Sequence, residues 1–144
     1  MQQLAEFVAN HWVLSMTFVA LLAALAGNLM GGMGAAAAQV GTAEAVRLIN
    51  REDAVVIDVR EAAEFQQGHI ANAVNIPMAR LGERLAEVRK FNERPLLLCC
   101  DAGHTSMRAG AVLKKAGLGK LFSLRGGVGA WRQDNLPIAR GKQT

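Results

Sequence analysis

The 144-residue chain has no tyrosine, three prolines, two cysteines and, across its first 38 residues, a single charged side chain, Glu6. Each scarcity removes a class of explanation. Aromatics make up 5% of the chain and its basic residues are scattered, so it lacks the stacking platforms and clustered cations of a nucleic-acid surface. The two cysteines, Cys99 and Cys100, are neighbours, and a bridge between adjacent residues is strained, so no disulfide framework is expected. With three scattered histidines they form no metal-ligand spacing, and neither a metal nor an organic cofactor is expected. What remains for these cysteines is a working thiol in a reducing compartment. Length excludes a second compact domain beside one of ordinary core size.

Charge is missing where apolar residues crowd. From Trp12 to Met30, WVLSMTFVALLAALAGNLM carries no charge over 19 residues, about 28 Å as a helix and about the thickness of a bilayer's hydrocarbon core. The sequence therefore predicts one N-terminal transmembrane helix, with residues 1–30 as tail and helix, 31–39 as a Gly/Ala linker and 40–144 as a folded domain. A cleaved secretory signal is the competing reading, with small residues at Ala35 to Ala38, but no Lys or Arg precedes the apolar run. Positive residues near the helix lie only on its C-terminal side, at Arg47, Arg51 and Arg60. That asymmetry predicts a single-pass inner-membrane protein with its C-terminal domain in the cytoplasm. Gly27 and Gly31, four apart, suit either close helix contact or a flexible exit. From Gln39 onward, 16 Lys and Arg stand against 11 Asp and Glu, a mild positive balance that suits anionic head groups.

The rest of the chain alternates strand and helix signals. Thr42 can cap a helix with apolar positions at Ala45, Val46 and Ile49. AVVID (54–58) is a buried strand, Glu61 to Gln67 a short helix closed by Gly68, and AVNIP (73–77) a strand stopped by proline. Leu81 to Val88 has helical spacing, LLLCC (96–100) is a continuous apolar strand, and Ser106 to Ala116 is a helix ending at Gly117. Leu121 to Leu124 is a further strand, and Gly126, Gly127 and Gly129 lead into a short helix around Trp131. Strands separated by helices imply an open parallel α/β sheet with function at the strand C-terminal ends, where Cys100 lies.

In LLLCCDAGHTSMRAGAVL, a cysteine ends a strand, a loop of small residues follows, and a helix begins near Thr105 or Ser106. Backbone N–H groups and the positive end of a helix dipole then face the sulfur and favour its thiolate, the nucleophilic form. Gly103 supplies the unusual backbone angles of such a cradle. This segment resembles the active loop of the rhodanese family, Cys-x-x-Gly-x-Arg-Ser before a helix, with Cys100, Gly103 and Ser106 in register. IDVREAAEFQQGHIANAVNIP (57–77) and LRGGVGAWRQDNLPI (124–138) match the family as well, so the resemblance spans nearly all of 40–141.

The resemblance implies a five-stranded parallel sheet flanked by helices and a cycle in which Cys100 takes sulfane sulfur as a persulfide. The sulfur comes from thiosulfate or a persulfide and passes to a thiol or other thiophilic acceptor. The loop is then Asp101, Ala102, Gly103, His104, Thr105 and Ser106, with Asp58, Arg60 and Arg108 in support. Asp58 and Arg60 match the family's Asp-x-Arg, and an ion pair holding sheet edge and loop is the expected role. His69, in a Gly-His-Ile turn, is read as architectural, Trp131 as core, and Met78 and Met107 as packing residues. Two departures matter. Thr105 stands where the family often has arginine, removing a cation that grips an anionic donor, and Asp101 places a carboxylate beside the nucleophile. Both predict that thiosulfate is a poor donor. Ser106, six after the cysteine, replaces the arginine a cysteine phosphatase needs, and the loop is too short for arsenate reduction. Two functions follow: a membrane-anchored sulfurtransferase, or a weakly catalytic module that recruits partners at the inner membrane.

Overall fold

A computed structural model describes Phe7, residues 10–33 and residues 36–142. The chain divides into two units, Met1–Ala35 and Ala36–Thr144. In the first, α1 (Trp12–Met33) is a 22-residue helix without a charged residue in its first or last turn. Trp12, Leu14, Met16, Phe18, Leu21 and Leu25 are all exposed. The expected transmembrane helix is nevertheless not shown: among the described residues no helix is long and apolar enough to cross a membrane.

The second unit is an α/β domain. Its main sheet is parallel throughout, in the order β1 (Ala38–Val40), β6 (Leu121–Leu124), β5 (Leu96–Cys99), β2 (Val55–Asp58), β4 (Val74–Asn75). The five-stranded parallel sheet expected from the family resemblance is thus present. The crossovers contain α2 (Thr42–Arg51), α3 (Ala62–Gln67), α4 (Leu85–Arg89) and α5 (His104–Lys115), and α6 (Gly127–Gln133) follows the last strand of this sheet. A separate antiparallel ladder joins β3 (His69–Ile70) to β7 (Ile138–Ala139).

Burial on both faces explains the short unbroken apolar strands. On β5, Leu96 and Leu98 enter one core with Ile57 and Leu113, whereas Leu97 and Cys99 enter the other with Phe65 and Trp131. Each such leucine, removed from water, contributes roughly 1.5–3 kcal/mol.

Three boundaries differ from the sequence reading. Ala38 and Gln39, assigned to the linker, form an edge strand with Val40 because β6 offers them a free ladder edge. Thr42 is not a cap: Gly41 holds the N-cap position, and the Thr42 hydroxyl donates to Asp134 instead. The helix expected over Leu81 to Val88 is a 3-10 turn at Met78–Arg80 followed by the five-residue α4.

Candidate active site

Strand β5 delivers Cys100 to its C-terminal end. Because alternate residues face opposite ways, Cys100 joins the core of Leu96 and Leu98 while Cys99 points through the sheet. The chain then passes exposed Asp101 and Ala102 and reaches Gly103, the N-cap of α5, at φ +97°. That left-handed conformation aims the Gly103 N–H at the cysteine, where it donates to Sγ at 2.9 Å. The contact places a backbone donor directly against the sulfur on which negative charge develops during transfer. The N-terminus of the 12-residue α5 adds its partial positive charge. The helix begins at His104, ahead of the Thr105 or Ser106 start that the sequence suggests.

Ser106 is fully buried behind the sulfur. Its hydroxyl lies 3.6 Å from Sγ, donates to the Gly103 carbonyl at 3.0 Å and shares a 2.8 Å hydrogen bond with Ser123 on β6. Ser106 therefore ties nucleophile, loop and neighbouring strand together. Ser123, also buried, was not singled out from the sequence, since only the pairing of β5 with β6 brings it near.

The glycine turn after β6 braces the loop from outside. Val128 N–H donates to the Cys100 carbonyl at 2.8 Å and Gly129 N–H to the Asp101 carbonyl at 3.1 Å. Gly127, at φ +57°, comes so close that a Cβ there would lie 2.2 Å from the Cys100 oxygen. From the sequence these glycines read only as the entry to a helix.

Asp58 and Arg60 form the buried pair expected of them, Nη2 to Oδ2 at 2.6 Å, and Arg60 also donates to the Gly68 carbonyl at 2.9 Å. Burial works against the Arg60 charge, but the Asp58 hydrogen bonds and charge outweigh it and leave the guanidinium more firmly protonated than usual. Asn75 Nδ2 closes the corner by donating to the Asp58 and Arg60 carbonyls. His69 is buried, stacks on Phe65 at 3.7 Å and bonds the Phe65 carbonyl through Nδ1, an architectural role. Trp131 is core, with Nε1 donating to the Pro137 carbonyl.

A cavity of about 260 Å³ opens onto the sulfur, lined by Val59, Arg60, Glu61, Glu64, Met78, Cys100, Asp101 and Thr105. Thr105 thus lies in the cavity wall beside the sulfur. His104 and Arg108 are exposed and do not line this cavity. Cys99 is fully buried, and burial, followed by the Asp58 charge, pushes its thiol well above the ordinary range against the opposing pull of Arg60. It is unsuited to resolving a persulfide on Cys100.

Comparison with known proteins agrees with this geometry. The family profile for the rhodanese-like domain matches residues 42–134. The Escherichia coli (strain K12) protein YibN is 35% identical over 99% of this chain and all of its own length. A sulfurtransferase of Allochromatium vinosum is 38% identical over 64% of this chain and 84% of its own. Among solved structures, a rhodanese-related protein from Thermoplasma volcanium superposes with TM-score 0.64 at 27% identity, covering 71% of this chain and 97% of that one.

Proposed function

We propose that this chain, which belongs to the rhodanese-like domain family, is a sulfurtransferase that carries sulfane sulfur on Cys100. The observation that supports this most directly is Cys100 Sγ at the end of β5, accepting the Gly103 N–H at 2.9 Å and opening onto a cavity large enough for a small donor. In the first half-reaction the Cys100 thiolate attacks the outer sulfur of a persulfide R–S–SH. The Sγ–S bond forms, the S–S bond to R breaks, and R–S⁻ leaves with the electron pair. In the second, an acceptor thiolate attacks the carried sulfur, and Cys100 departs as thiolate. No net oxidation occurs in either step.

Thr105 in the cavity wall supports persulfides over thiosulfate as donors. Intact mass measurement of the Ala36–Thr144 domain after exposure to each donor tests the reading. One added sulfur, absent in Cys100→Ser and removed by cyanide or a thiol, is the expected result. A folded domain with a free Cys100 thiol that gains no sulfur from any donor rejects it. In that case the second reading, a binding module recruiting partners, takes its place; exposed Asp101 beside the nucleophile is the feature that favours it.

We propose further that α1 attaches the chain to the inner membrane with the domain on the cytoplasmic side. Its exposed apolar side chains on every turn from Trp12 to Leu25 support this, because such a surface is stable in lipid and not in water. Fractionated cells are expected to hold the full chain in the membrane pellet through a high-salt wash, and a chain lacking residues 1–35 in the soluble fraction. Recovery of the full chain in the soluble fraction rules the attachment out.

A further inference from the structure

We infer that the carboxylates around the Cys100 cavity select sulfur donors by charge, disfavouring anionic ones and favouring persulfides that carry a positive group; this rests on the sulfurtransferase reading above. The cavity lining holds one guanidinium and three carboxylates: Arg60 against Glu61, Glu64 and Asp101. Arg60 is already matched by Asp58 at 2.6 Å and turned toward the Gly68 carbonyl, so its charge is committed to the fold. Two further cations nearby, Arg80 and Arg84, line a neighbouring cavity and not this one. Arg84 is paired with Glu87 at 2.7 Å.

Two of the carboxylates are fixed where they stand. Glu61 is the N-cap of α3 and accepts the Glu64 N–H, while the Glu64 side chain accepts the Glu61 N–H, a reciprocal capping box. The box ties both side chains to the first turn of α3, beside the cavity they line. Asp101 follows the nucleophile directly, and its carbonyl is anchored by Gly129. An incoming donor therefore meets negative charge on the α3 side and on the loop side of the sulfur. All three carboxylates are exposed at the cavity mouth, so their influence is strongest at low ionic strength. Neither Glu61 nor Glu64 drew attention in the sequence, where both read as ordinary residues of a short helix.

Two donors with the same reacting bond and opposite charge separate this from other causes of selectivity. Cysteamine persulfide carries an ammonium; glutathione persulfide carries two carboxylates and one ammonium. Initial rates of sulfur gain on Cys100 are measured by intact mass on the full chain for both donors, at low and high salt. The same rates are taken for Glu64→Gln/Asp101→Asn. Glutamine at position 64 keeps the capping hydrogen bond while removing the charge.

The cationic donor is expected to load faster by on the order of fivefold to tenfold. That ratio is expected to shrink toward one both at high salt and in the double variant. A ratio of one or less in the unmodified chain, or a ratio unchanged by salt and by neutralisation, overturns the inference. Should the double variant fail to fold, the salt series on the unmodified chain decides. Absence of sulfur gain from both donors overturns the sulfurtransferase reading itself, and the inference with it.

Discussion

Gly127 shows how tightly the loop around Cys100 is held. At φ +57° its backbone lies against the carbonyls of Cys100 and Asp101, 2.2 Å and 2.5 Å from where a Cβ would sit. Gly127→Ala brings the strain of a left-handed residue together with a clash against backbone that cannot rotate away. The expected cost is about 2–4 kcal/mol of unfolding free energy, measured by urea denaturation of the Ala36–Thr144 domain. Sulfur loading is expected to fall as well, since relieving the clash moves the Cys100 carbonyl and with it the Gly103 cradle. Gly117→Ala is the control: its φ is also positive, at +91°, with nothing within 4 Å of a Cβ, so strain without the clash leaves loading intact. At this scale Cys100, Gly103 and Ser106 were legible in the sequence because their relation is local, within seven residues. The roles of Gly127, Ser123, Glu61 and Glu64 were not, because each depends on a partner brought near by the parallel ladder or by a helix cap.

Among the elements, long apolar or periodic segments were readable and short ones were not. β2, β5 and β6 announce themselves as β-branched or leucine-rich runs because both sheet faces bury them. β3 and β7 contain two residues each and exist only through their mutual pairing, His69 with Ala139 and Ile70 with Ile138. No window of sequence that short carries a period. β1 was hidden differently: Ala38 and Gln39 are exposed, and only Val40 is buried. An edge strand with one inward residue has the composition of a linker. Its position has a practical consequence, since a domain cut at Gly41 loses the Val40 carbonyl that accepts the Arg125 N–H at 2.8 Å. It also loses Ala37, which packs against Gly110 of α5, the helix that caps the active loop.

The sheet divides the folded domain into two cores, and the adjacent cysteines report one on each side. Cys100 opens to the cavity, whereas Cys99 is sealed among Val56, Leu97 and Trp131. Burial, reinforced by the Asp58 charge and only partly opposed by Arg60, keeps the Cys99 thiol protonated well beyond its ordinary value of 9.0. The sign of the linkage follows directly. Below that ordinary value both folded and unfolded chains hold the proton, and Cys99 contributes no pH dependence. Above it the unfolded chain releases the proton while the folded chain retains it, so the unfolded state gains stability and the fold loses it. Unfolding free energy is expected to fall by up to about 1.4 kcal/mol per pH unit from this group alone. Urea unfolding of the Ala36–Thr144 domain at about pH 8 and about pH 10, compared with Cys99→Ala, isolates the contribution from other alkaline titrations. The variant is expected to start less stable by on the order of 1 kcal/mol, for the lost packing, yet to decline less steeply. Parallel declines in the two proteins would mean that Cys99 titrates alike folded and unfolded, and that the second core admits water to the sulfur.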